Sequence, residues 1–221
     1  YTLLVPLYKE PAHVIARLIR NLSALDYPAE KLDIKLICEA DDHATIDSIK
    51  AQTPPQMMEI IHVPPGAPRT KPKACNIALQ HARGEFLVIY DAEDAPPPNQ
   101  LRLAIAMFRQ SSERTACLQA ALNYENRSEN LLTKLFAIEY SALFRMHLPA
   151  LEQLHIPIPL GGTSNHLRTA ALKQVGGWDA FNVTEDADLG IRLAYFGYDT
   201  RVLPSCTMEE APITLRSWHK Q

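Results

Sequence analysis

The chain has 221 residues, 47% of them hydrophobic, enough apolar material for a substantial buried core and unlike a disordered or fibrous composition. A formal net charge of −3 argues against nucleic acid as the main partner, because phosphate backbones select a basic surface. The four cysteines, Cys38, Cys75, Cys117 and Cys206, form no C-x-x-C pair, which removes zinc-ribbon and thioredoxin-type readings and fits reduced, buried thiols.

The sequence begins with TLLVPLY, which predicts a core strand, and the next segment, PAHVIARLIRNLSAL, predicts a helix with Val14, Leu18 and Leu22 on one face. Pro11 suits the start of that helix. DIKLICEA and MEIIHV predict two further strands. KACNIALQHARG predicts a helix closed by Gly84, and EFLVIYD a strand buried on both faces that ends in Asp91. PPPNQLRLAIAMFRQ then predicts a helix, TACLQAALNY a strand, and a long helical stretch runs from about Ser128 to Leu154, with Leu132, Phe136 and Tyr140 on one face.

IPIPLGGTSNHLRT is too rich in Pro and Gly for regular structure and reads as a functional loop. A short helix to Val175 follows, then a last helix in NVTEDADLGIRLAYFGYDT. There Thr184 is the expected cap, Glu185 and Asp186 oppose the positive helix start, and Asp188 pairs with Arg192. Leu189, Leu193 and Phe196 form the expected buried face and Gly197 the stop. Short apolar strands alternating with helices predict an α/β class, a mostly parallel sheet flanked by helices, with residues 1–221 forming one domain. No run of about 18 apolar residues is present, so the chain as given reads as soluble.

In such sheets ligands bind at the carboxyl ends of the strands. Two acidic stretches fall there: CEADD, with Asp41 and Asp42, and YDAED, with Asp91, Glu93 and Asp94. Asp91 and Glu93 suit a hard divalent cation shared with substrate phosphates, while Asp91 or Asp94 equally suits the cap of the following helix. Lys71 and Lys73 at a helix start read either as phosphate ligands or as solvated lysines, and Asn76 needs a polar partner. Local physics accounts for Glu185 and Asp188 as helix-start acids and leaves Asp186 undecided. His166 and Arg168 read as acceptor-site or hydrogen-bonded structural residues, Trp178 as a sugar-stacking or buried indole.

Taken in order, VPLYKEP, ADD, TKPKACN, YDAED, GGTSNHLR and the TED of Thr184–Asp186 resemble the family 2 glycosyltransferases, particularly the membrane-embedded, cellulose-synthase-like branch. The resemblance runs from Leu3 to Gln221 and is specific through the joint order of short motifs. It implies a GT-A fold, a Rossmann-like mixed, mostly parallel sheet, that transfers a sugar with inversion from a nucleotide-sugar, usually a UDP-sugar, to a hydroxyl of a saccharide or lipid acceptor. By resemblance, Asp41 or Asp42 contacts the nucleoside, Lys71 lies near the donor phosphates, and Asp91 and Glu93 engage a diphosphate-bound Mg²⁺ or Mn²⁺. The same resemblance makes Asp186 the general base; Glu185, His166 and Trp178 are candidates for the acceptor side from the residues themselves.

Two features depart from the family pattern. Glu93 replaces the second acid of DxD, which leaves Glu93 and Asp94 as alternative metal ligands. The QxxRW motif is represented only by Gln221, after SWHK. The resemblance further implies a longer protein whose other segments enter the membrane, with this domain on the cytoplasmic face of the inner (plasma) membrane. Two competing readings are a nucleotidyltransferase and a glycosyltransferase-like module that binds or assembles without turnover.

Overall fold

The computed structural model describes residues 1–214. Seven strands, β1 (Thr2–Leu7), β2 (Asp33–Glu39), β3 (Met58–Val63), β4 (Phe86–Ile89), β5 (Thr115–Tyr124), β6 (Asn165–Arg168) and β7 (Asp199–Glu209), form one sheet in the order β3-β2-β1-β4-β6-β5-β7. The pairs β1–β2, β2–β3, β1–β4 and β5–β7 are parallel; β6 runs antiparallel to both β4 and β5.

The alternation of side chains along β1 sets the layers. Leu3, Val5 and Leu7 face a core shared with α1 (Ala12–Ser23), α2 (His43–Ala51) and α4 (Gln100–Gln110). Leu4 faces the opposite core, with α3 (Lys71–Leu79), α7 (Thr169–Gln174) and α8 (Glu185–Tyr195). Both faces of the strand are therefore covered, which is why it reads as a continuous apolar run. Between β5 and β6, α5 (Leu131–Ala142) starts with an Asn130–Thr133 capping box, passes through a π-turn at Leu143–His147, and continues as α6 (Leu148–Gln153).

Several expectations are corrected. α3 ends at Leu79, before Gly84; that glycine is needed because a Cβ there would lie 2.4 Å from the Thr2 amide nitrogen. The segment 165–168, expected to be loop, is β6, inserted between two strands. The sequence reading contained no β7. Leu203 pairs with Ala120 and Cys206 with Ala121, so Pro204 and Ser205 sit in a bulge, where a proline's missing amide donor costs no ladder bond. Phe196, expected in the core, is 46% exposed, and Thr184 caps no amide with its side chain; its hydroxyl instead meets Asn182 Oδ1.

β1 has β2 on one side and β4 on the other, so the chain leaves its carboxyl end toward one half of the sheet and returns on the other. This is the switch point at which connecting loops separate and leave a crevice.

Candidate active site

A cavity of about 280 Å³ opens at this crevice, lined by Leu7 at the end of β1 and Tyr8 after it, Glu39 at the end of β2, Arg69 before α3 and Lys71 at its start, and Asp91 after β4. Two larger grooves, of about 820 and 700 Å³, lie at the opposite end of the strands around Asp33 and Arg83, and beside α6 and the β7 start. Neither contains the acids singled out above, so the smaller crevice is the candidate site.

Lys71 occupies its centre. It is the first residue of α3, and its Nζ lies 2.5 Å from Asp91 Oδ1 and donates to the Gly162 carbonyl at 2.7 Å. Burial works against its charge, but the Asp91 carboxylate more than compensates and holds its pKa above the ordinary lysine value. Lys73 points elsewhere, donating to the Gly66 carbonyl.

The YDAED stretch divides its acids. Asp94 is buried, with Oδ2 accepting from the Asp91 amide and from the Thr163 hydroxyl. Burial, then the Asp91 charge, drives its pKa well up, so it acts as an internal post that fastens the turn to the 161–164 loop. Glu93 has no side-chain tie of that kind; its pKa is also raised, by burial and then by Asp91. Asp94 Oδ1 has no hydrogen-bond partner among the described residues, and the Glu93 carboxyl senses the Asp91 charge, so both acids stay close to Asp91.

The second half of the site is the GGTSN loop and the start of α8. Gly161 N–H donates to Gln119 Oε1, the Ser164 amide donates to the Ile89 carbonyl, and the Ser164 hydroxyl donates to Thr207 Oγ1. These bonds fix Gly162 between the two halves. A Cβ placed on it would lie 3.6 Å from Asp186 Oδ2 and 4.0 Å from Lys71 Nζ. Asp186 Oδ1 accepts from the Ala187 amide, so its other oxygen is presented toward the crevice. Glu185 lies alongside, its pKa raised by burial and then by the Asp186 charge. Asp188 is committed to Arg192 at 2.7 Å, as its spacing predicts.

The structure thus brings together Lys71, Asp91, Glu93, Glu185 and Asp186, and it withdraws others. Asp42 is buried; it caps α2 through the Thr45 amide and accepts from Lys9 N–H at 2.6 Å, while Asp41 pairs with Arg69 on the surface. His166, expected toward the acceptor, is fully buried on β6 between the Tyr1 hydroxyl and Gln100, and burial lowers its pKa to about 3. Trp178 is likewise core: it is 5% exposed, and its backbone N–H and C=O are both taken by the Asn76 amide. That pairing is also the partner Asn76 requires.

Two residues missing from the sequence reading belong in the crevice. Glu39, 6% exposed, has Oε2 buried without a hydrogen-bond partner among the described residues. Its signal was present in KLICEADD: it is the acid that closes a buried strand, as Asp91 follows one, and the adjacent pair of aspartates obscured it. Glu209 ends β7, has Oε1 similarly unpartnered, and has its pKa pushed up to about 7 by burial, then by Asp91 and Glu93. It gave no signal because its strand was not recognised.

Among the described residues no cluster of three or more His, Cys, Asp or Glu is arranged to hold a metal ion by itself. The donor set still fits a hard cation that takes one or two carboxylates and completes its shell with substrate phosphates. Asp91 and Glu93 are the carboxylates that would suit it, and Glu209 senses the charge of both.

Against this geometry, the family described as glycosyltransferase-like family 2 matches residues 1–221. The chain belongs to this family. It is 26% identical over 226 residues to the β-monoglucosyldiacylglycerol synthase of Synechocystis, covering 96% of this chain and 44% of that protein. The chain spans about half the length of the curated relatives it matches. A mannosyltransferase from Pyrobaculum calidifontis, solved with GDP-Man and Mn²⁺, superposes with a TM-score of 0.74 at 23% identity, over 98% of this chain and 59% of that one. S. aureus TarS 1–349 with UDP-GlcNAc gives 0.68 at 17% identity, over 96% and 59%. These likenesses establish the GT-A fold. The family 2 glycosyltransferase carries its candidate chemistry in one crevice, and none of the described helices is long and apolar enough to cross a membrane.

Proposed function

We propose that the domain catalyses metal-assisted, inverting transfer of a sugar from a nucleotide-sugar to an acceptor hydroxyl, with Asp186 as general base. The observation that carries this reading is at Gly162, where a Cβ would lie 3.6 Å from Asp186 Oδ2 and 4.0 Å from Lys71 Nζ, so that the α8 acid and the Lys71–Asp91 pair approach the same point of the 161–164 loop. A base and a diphosphate-binding group must face each other across the reacting carbon in a single displacement.

In the reaction, Asp186 takes the proton of the acceptor hydroxyl as its oxygen forms a bond to the anomeric carbon. The bond from that carbon to the diphosphate oxygen breaks, and the electron pair leaves with the nucleoside diphosphate. One displacement inverts the anomeric centre. Asp91 and Glu93 would hold Mg²⁺ or Mn²⁺, which when bound supplies charge stabilisation for the leaving diphosphate. Lys71 contributes a second positive charge on that side.

Glu39, rather than the expected Asp41 or Asp42, is the acid in this reading that contacts the nucleoside, because its buried free oxygen is suited to accept an N–H of the base. Tyr8, 51% exposed at the same cavity, offers a ring for stacking. A uracil presents one such N–H on its pairing edge and a guanine more, so both UDP- and GDP-sugars are candidates, with the UDP form preferred as the family's usual donor. Glu185 lies on the acceptor side, and the acceptor is a saccharide or a lipid, as in the named diacylglycerol relative. Residues 1–221 act as one catalytic domain at the cytoplasmic face of a membrane, anchored by other segments of the protein. The family's Gln221 position lies outside the described residues.

The test is release of nucleoside diphosphate from UDP- and GDP-sugars by the full-length protein with and without Mn²⁺. Release that requires the metal and an acceptor is the expected result; binding of donor with no release under any acceptor tried would instead identify a non-catalytic module.

A further inference from the structure

The Lys71 ammonium is surrounded by more carboxylates than one cation neutralises. It touches Asp91 directly at 2.5 Å, and its charge is also felt by Glu93, Glu185 and Glu209, from α8 on one side and β7 on the other. Arg17 approaches Glu93 as well, but its guanidinium donates to the Glu93 backbone carbonyl. Lys71 is held in this place by a second bond, to the Gly162 carbonyl at 2.7 Å, and by the start of α3. An ammonium at 2.5 Å from Asp91 blocks the oxygen that a divalent cation needs at about 2.1 Å. On that oxygen the two cations exclude each other, and at either oxygen of Asp91 they repel electrostatically.

Resting on the reading of Asp91 as a metal ligand, we propose that Lys71 is a built-in stand-in for the divalent cation: it occupies Asp91 in the donor-free protein and moves to the donor's phosphates when the metal arrives. The donor diphosphate gives the displaced ammonium a new anionic partner, and the vacated Asp91 oxygen gives the metal its ligand. Each therefore favours the other's binding, and this coupling is reciprocal. Without nucleotide the metal must displace Lys71 unaided and binds weakly. Lys71 is a positioning residue in this respect, beyond its direct contribution to the leaving group.

The experiment measures Mn²⁺ binding by the full-length protein through the electron paramagnetic resonance signal of free Mn²⁺, with no nucleotide, with UDP and with GDP. The variants are Lys71→Gln, Lys71→Arg and Asp91→Asn. Both Lys71 and Asp91 are partly exposed, so loss of their pair is compatible with folding, and circular dichroism spectra check this. Expected is Mn²⁺ binding without nucleotide that is about 5- to 50-fold tighter in Lys71→Gln than in the wild type. The factor by which nucleotide strengthens Mn²⁺ binding should shrink correspondingly. Lys71→Arg, which keeps the charge, should remain weak without nucleotide. Unchanged or weaker Mn²⁺ binding in Lys71→Gln, with Asp91→Asn still abolishing nucleotide-dependent binding, would overturn the stand-in role while leaving the metal site intact. If Asp91→Asn binds Mn²⁺ as the wild type does in the presence of nucleotide, the metal reading itself falls and the stand-in role falls with it.

Discussion

At the scale of single residues, Glu209 offers the sharpest consequence of crowding carboxylates in a crevice. Burial, followed by the charges of Asp91 and Glu93, lifts its pKa from an ordinary 4.5 to about 7. The folded state therefore holds this proton more tightly than the unfolded chain does. Its contribution to stability is complete below about pH 4.5 and is lost as the pH rises through about 7. In metal-free protein, Glu209→Gln should match the wild type near pH 4 and exceed it by about 3 kcal/mol at pH 8, read from urea unfolding. Parallel stability curves for the two proteins would contradict the placement of Glu209. Of the residues singled out from the sequence, Lys71 and Asp91 line the crevice, and Asp186 comes close to the same glycine as Lys71. Asp42 was misread, and His166 took the structural of its two readings, because residue type does not reveal which hydrogen-bond partners the fold supplies. Asp42 has the Lys9 and Thr45 amides within reach, and His166 has Tyr1 and Gln100.

At the scale of elements, TACLQAALNY is the observed β5 residue for residue, since a ten-residue run buried throughout leaves no competing pattern. β7 was hidden by Pro204 and by its mixed burial, and β6 by its four-residue length beside two glycines. Their absence mattered, because β6 and β7 carry the 161–164 loop and Glu209 into the site. α8 shows how tightly an element can be positioned by one missing side chain. A Cβ on Gly190 would lie 2.2 Å from the Ile158 carbonyl and 3.0 Å from the Leu160 amide nitrogen, both backbone atoms that cannot rotate away. Gly190→Ala should therefore push α8 from the 158–160 segment and cost about 2–3 kcal/mol of stability. A thermal midpoint equal to that of the wild type would contradict the close approach. The fold class survived the missing strands because the β1-to-β4 half, with its clear alternation of strand and helix, already specifies a parallel sheet covered on both faces.

At the scale of the whole molecule, the sheet's switch point brings the proposed donor side, from β1, β2, α3 and β4, close to the proposed acceptor side, from the 161–164 loop and α8. The families of residues come from distant parts of the chain: Lys71 and Gly162 are joined by one hydrogen bond across 91 positions. Sequence order lists these parts but does not set their distances, and only the assembled sheet shows that Asp186 and Lys71 both come within about 4 Å of the place where a Gly162 side chain would start. The central claim is that the two halves have separable tasks, proton removal and diphosphate binding. It is tested most directly by comparing Asp186→Asn with Asp91→Asn in sugar transfer and in Mn²⁺-dependent binding of nucleoside diphosphate. Asp186→Asn should lower transfer by about 10²- to 10⁴-fold with diphosphate binding within a few-fold of the wild type, whereas Asp91→Asn should lose both. Equal loss of binding and transfer in Asp186→Asn, or transfer that persists in it, would contradict the assignment of Asp186 as the base.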